Sequence, residues 1–263
     1  MKGIRMELCR NLCSWRFIAG MIGIVAICLL SAADQMKEPF SGSISELSWY
    51  MFQYVFGMAN YALPVVYLLA AMPGGASFCQ DFEHGYMRPA AASSGYVYAR
   101  NKTAACVIST FLTCFLGIFL FVAGLHIWNL LIRPGSASNG MEIGYYWEYF
   151  QGKPWLYYMV YGGVISLSAA AWSVLGLLAS AFLPDRYVAF TVPLACNILL
   201  ERLSHAYLPE FLDLYTLGRG AGMTALGFPW SILYGILVFV ILILLFGAGF
   251  SWQVGRRLRN EAF

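Results

Sequence analysis

ASFCQDFEHGYMRPAAASSGYVYARNK, residues Ala76 to Lys102, lies between two strongly apolar runs, Tyr54–Met72 and Thr103–Leu131. The stretch carries Asp81, Glu83, His84, Arg88, Arg100 and Lys102 in a chain otherwise poor in charge. Read as a helix, it places Phe78, Phe82 and Tyr86 four residues apart on one apolar stripe. Asp81, Glu83, His84 and Arg88 spread over the remaining surface. Ser93, Ser94 and Gly95 then interrupt the helix before the next apolar run. Such an amphipathic segment lies at a membrane surface or docks into a partner's groove. The rest of the chain decides between these.

Of the 263 residues, 60% are hydrophobic and 11% charged, with a mean hydropathy of +0.66. A soluble domain carries about 25% charged residues, so too few polar groups are present to coat a soluble globule. The composition predicts an all-α integral membrane protein, a single domain over residues 1–263. The net charge of +3 is small. The basic residues form no aromatic-interleaved patch suited to nucleic acid, and no such partner is expected. None of the seven cysteines falls in a segment placed outside the membrane, so no disulfide is expected. Cys9 and Cys13 lack a second ligand pair or a nearby histidine and read as free thiols rather than zinc ligands.

Working outward, Met1–Arg16 holds Lys2, Arg5, Arg10 and Arg16 ahead of an apolar run. Trp15–Ala33, about 28 Å long as a helix, is taken as a retained first span. Met6, Leu8, Cys9, Leu12 and Cys13 suit a short interfacial helix before it. Trp49–Met72 is the second span, with a kink expected near Pro64. Thr103–Leu131 is the third. Trp155–Leu183, the fourth, is rich in Gly, Ala and Ser, which lets helices approach closely and predicts burial among neighbours. Tyr187–Leu203 is the fifth, and Ser204–Phe228, broken by Pro209, Glu210, Asp213 and Arg219, reads as re-entrant or interfacial. Pro229–Phe250 is the sixth.

Six spans put both termini on one side. With the N-terminus inside, eleven Lys and Arg fall on the cytoplasmic side and five outside, accounting for all sixteen. The positive-inside bias therefore places both termini, and residues 76–102, in the cytoplasm.

The run Asp81-Phe82-Glu83-x-Gly85-x-x-Arg88, a small-residue turn, then Arg100 and Lys102, resembles the cytoplasmic coupling segment of the ABC-type-2 transporter permease family. The six spans and the basic N-terminal segment are similar to that architecture too. Pro89 after Arg88, and the lack of an arginine directly after the Ser-Ser turn, depart from the family pattern. The resemblance implies the membrane subunit of an ABC exporter in the cell membrane, paired with a second permease subunit and surrounded by membrane lipid. It implies ATPase coupling through Phe78, Asp81, Phe82, Glu83, Gly85, Tyr86 and Arg88. It also implies a translocation path along helices two and five, where Asn60, Tyr61, Thr191 and Asn197 are the polar residues. No G-x-x-x-x-G-K-[ST] loop is present to cradle nucleotide phosphates. ATP and Mg are therefore expected on a separate ATPase subunit, and no enzyme activity on this chain. The substrate class is amphipathic or hydrophobic: a peptide, lipid or drug, with antimicrobial-peptide immunity as one setting. The alternative is an ATPase-independent membrane protein, a small carrier or an assembly scaffold. Glu201, Arg202 and His205 raise an intramembrane metalloprotease, but a zinc site normally uses three protein ligands. An interfacial salt bridge or snorkelling cap explains the three with less.

Overall fold

The computed structural model describes residues 2–37, 44–58, 62–85, 95–132, 147–150, 153–220 and 226–260. Among these the chain is helical, without strands. The helices are α1 (Lys2–Leu12), α2 (Trp15–Lys37), α3 (Ile44–Gln53, continued by a π turn Tyr54–Met58) and α4 (Ala62–Ala71). Then come α5 (Ser77–Glu83), α6 (Gly95–Ile132), α7 (Pro154–Phe182), α8 (Arg186–Tyr207), α9 (Leu214–Gly218) and α10 (Trp230–Asn260).

Four stretches among the described residues are long and apolar enough to cross a bilayer: Trp15–Ala33, Gly95–Trp128, Pro154–Phe182 and Trp230–Arg259. The pair Tyr50–Gly57 and Ala62–Ala71, bent by 83°, makes a fifth if it counts as one span. α8 is about 33 Å long, yet Arg186, Glu201, Arg202 and His205 keep it out of that set. The protein is a multi-pass helical membrane protein. The expected kink at Pro64 is displaced: the break precedes it, and Pro64 sits in the first turn of α4, where its missing N–H has no intrahelical role.

α7 is the most enclosed of the long helices, as its small residues predict, with Gly162, Ser166, Ala169, Ala170, Ser173 and Gly176 all buried. The larger core joins α2, α3, α4, α6 and α7 around an aromatic layer of Phe52, Phe56, Phe121, Tyr157 and Tyr161. A second core closes the opposite end of the bundle, where Phe78, Tyr98, Leu177, Phe250 and Val254 meet. α10 is the least enclosed span and shows Leu233, Leu237, Leu244 and Trp252 to the surroundings.

α1 does form, but its buried face is polar. Glu7 and Asn11 point into the protein while Met6 faces outward. Asn11 donates to Ser109 Oγ on α6 at 3.3 Å. The exposed face mixes Met6 and Cys9 with Arg5 and Arg10, which suits a helix lying at the bilayer surface.

The turn after α4 delivers α5 to the second core. A Cβ on Gly74 would lie 2.9 Å from Ser109 Oγ and 3.0 Å from Cys106 Cα, so only glycine lets this turn seat against α6. α6 begins at Gly95, earlier than expected, which puts Arg100 and Lys102 inside the helix.

Candidate functional site

α5 is short, and its end is set by Gly85. The His84 N–H bonds Gln80 O at 3.1 Å and the Gly85 N–H bonds Phe82 O at 3.2 Å. Gly85 then takes φ +69°, which L side chains rarely adopt. A Cβ there would meet nothing within 4 Å. Among the described residues Gly85 is therefore a helix-end irregularity. Among the described residues the helix stops at Glu83, three residues after Gln80 and one after Phe82. Tyr86 and Arg88 lie outside the described residues.

Asp81 is the hub of a buried charge cluster. Lys102 Nζ bonds Asp81 Oδ2, the Tyr98 hydroxyl donates to the same oxygen at 2.7 Å, and Arg10 Nη1 donates to Oδ1 at 2.6 Å. Glu7 Oε2 receives Lys102 at 3.2 Å and Arg10 at 2.8 Å. The side chains of Lys102 and Asp81 are only 1% and 4% exposed. Two acids and two bases balance, so charges drawn from α1, α5 and α6 share one neutral enclosure. Tyr98 and Lys102 reach Asp81 together because positions i and i+4 lie on one helix face.

Burial alone would raise the Asp81 pKa, but Lys102, Tyr98 and Arg10 outweigh it and hold the carboxyl below its ordinary range. Burial likewise opposes the Arg10 charge, and Glu7 with Asp81 more than restores it. The folded-state pKa of Asp81 lies below the unfolded value of about 3.9, so its stabilisation is whole above that value. It is lost as pH falls through the lower, folded value. Unfolding at pH 7 and pH 3 should therefore separate the wild type from Asp81→Asn more widely at neutral pH than in acid. An equal gap at both would mean that Asp81 does not carry this dependence.

Phe78 is fully buried, edge-on to Phe250 of α10 with ring centroids 5.5 Å apart. Phe82 is half-buried beneath the Arg257 guanidinium at 5.6 Å. Phe78 is thus not free to dock into a partner's groove, and Asp81 is not on the outer surface. A seven-residue helix has room for one buried face, and this chain's own α6, α7 and α10 cover it. The outer edge belongs to Glu83, whose two carboxylate oxygens receive Arg186 Nε, at 3.0 Å, and Nη2. The Arg186 hydrogen bond holds the Glu83 carboxyl below its ordinary value.

Of the expected path residues, Asn60 and Tyr61 lie outside the described residues. Thr191 is exposed and Asn197 buried. Six residues on a helix turn through about 240°, so the two do not share a face. Asn197 Nδ2 donates to Glu201 Oε1 at 2.6 Å, while Asn197 Oδ1 is buried without a partner among the described residues. Glu201, Arg202, Tyr215 and Arg219 line a pocket of 300 Å³ beside Pro64 and Leu194. His205 pairs instead with Asp213 at 2.9 Å and lies against Tyr215. Among the described residues, no three His, Cys, Asp or Glu side chains converge on a possible metal position. All seven cysteines are free thiols.

Glu7, Arg10, Tyr98 and Lys102 were not singled out as a site by sequence reasoning. Their signal was charge beside long apolar runs, with Glu7 and Arg10 three apart and Tyr98 and Lys102 four apart. The charge bias accounts for the basic residues without any pairing, which hides the cluster. Comparison of the chain with family models, curated proteins and solved structures gives no match. The class defined by fold and site is a multi-pass helical membrane protein with a buried, balanced charge cluster at one end.

Proposed function

We propose that this chain is the permease subunit of an ABC exporter, moving an amphipathic or hydrophobic substrate with a separate ATPase and a second permease subunit. The observation that carries this reading is the attachment of α5. Side chains tie it to α1 through Arg10, to α6 through Tyr98 and Lys102, to α8 through Arg186 and to α10 through Phe250. Its end, Glu83 to Gly85, is exposed. A force applied at that end by a moving partner reaches four other helices through contacts already in place, which is what a coupling element requires. In this reading the α3–α4 pair and α8 complete six spans, and α9 belongs to a re-entrant segment. Both termini lie in the cytoplasm of the cell membrane, on the side that the positive-inside bias favours.

The test is co-purification of an ABC ATPase, followed by hydrolysis and transport assays in vesicles. Glu83→Arg should leave the permease folded, because the Glu83–Arg186 pair is exposed. Transport per ATP hydrolysed should fall about fivefold or more, the lower end of typical coupling free energies. Arg186→Glu in the same chain should restore it. Transport that proceeds with no ATPase present would sink this reading.

A further inference from the structure

We propose that the groove between α6 and α10 is a binding site for one anionic phospholipid, headgroup phosphate at Arg100 and acyl chain running between the two helices. This rests on the membrane class of the fold and not on the transporter reading.

The groove has a volume of 860 Å³ and an overwhelmingly apolar lining. Its floor is small, because Ala104, Gly247 and Ala248 leave room there, and a Cβ on Gly247 would lie 3.0 Å from Thr103 Cγ2. Its lining along α6 runs from Tyr96 to Ile108, a rise of about 18 Å, somewhat more than half of the roughly 30 Å hydrocarbon core. One end is basic and aromatic. Arg100 is exposed and makes no hydrogen bond or ion pair among the described residues. Arg256 lies over the Trp252 ring at 5.8 Å on the same end of α10. Among the described residues no acidic side chain lines the groove. An unpaired cation at an aromatic rim above an apolar slot is what a phosphodiester with acyl chains fits.

The test is thermal unfolding of the purified full chain in micelles doped with phosphatidylglycerol, phosphatidylcholine or inorganic phosphate. The oligomeric state is measured alongside. Phosphatidylglycerol should raise the midpoint saturably, and the other two should not. Arg100→Gln should weaken the apparent phosphatidylglycerol affinity about fivefold, one basic residue's share near an anionic headgroup. Ala248→Leu, which fills the slot from an exposed position, should abolish the effect while leaving the lipid-free midpoint in place. Equal protection by phosphatidylcholine would overturn the headgroup assignment, and equal protection by inorganic phosphate would overturn the lipid. A dimer that Ala248→Leu dissolves regardless of lipid would assign the groove to a second copy of the chain instead.

Discussion

Lys102→Met should destabilise the folded chain by about 3–5 kcal/mol, the cost of removing one partner from a buried ion pair. Lys102 is 1% exposed and bonds both Asp81 and Glu7, so its removal leaves two acids facing Arg10 alone. Lys102 and Asp81 are enclosed, so water compensates little there, and methionine supplies no donor. The loss should appear as a lowered midpoint in denaturant or heat and as faster proteolysis of α1, which is held to α6 partly through this ammonium. Adding Asp81→Leu should recover much of it, because Glu7 and Arg10 then remain as a balanced pair three residues apart. A cost below about 1 kcal/mol for Lys102→Met would mean that the cluster behaves as a surface pair. Failure of Asp81→Leu to rescue would mean that packing, not charge balance, dominates.

Gly176→Ala should be the most damaging single methyl addition in the bundle. A Cβ there would come within 3.0 Å of the Ala189 carbonyl oxygen and lie 3.3 Å from Pro193 Cγ. Neither neighbour can give way, since one is backbone and the other is a ring. Pro193 has no N–H, so the Ala189 carbonyl four residues earlier lacks its helical donor and protrudes toward α7. Glycine at 176 lets the two helices close over that carbonyl. Overpacking costs about 1–3 kcal/mol where side chains can adjust, and here the expected loss is at the top of that range or beyond. Gly163→Ala, on the same helix, is the control. Its Cβ would meet nothing within 4 Å, and alanine's higher helix propensity should leave stability unchanged or raised by up to about 1 kcal/mol. Equal midpoints for the two variants would remove the close α7–α8 approach from the account.

Membrane class, the positions of the long helices and the enclosure of α7 were legible in the sequence because each is an additive property. Apolar run length decides whether a helix suits the bilayer, and a sum of small residues decides how closely it packs. The shared face of Phe78 and Phe82 was legible for the same reason, through spacing alone. Periodicity shows that Phe78 and Phe82 share a face, but not what covers that face. Here it is Phe250 and Arg257, some 170 residues away in the chain. Asp81, Glu7, Arg10 and Lys102 are likewise ordinary surface charges until α1, α5 and α6 are brought together. Their pairing depends on three-dimensional approach, which no local pattern encodes. The extent of α5 was decided by one dihedral at Gly85, and the opposed placements of Thr191 and Asn197 by the rotation of α8 against its neighbours. The sequence by itself determined the membrane class and four of the six expected spans, while Trp49–Met72 is broken by a bend of 83° and α8 falls outside the set. Only the tertiary structure decided which of their polar residues face one another, because a buried charge is tolerated only where a partner from another helix meets it.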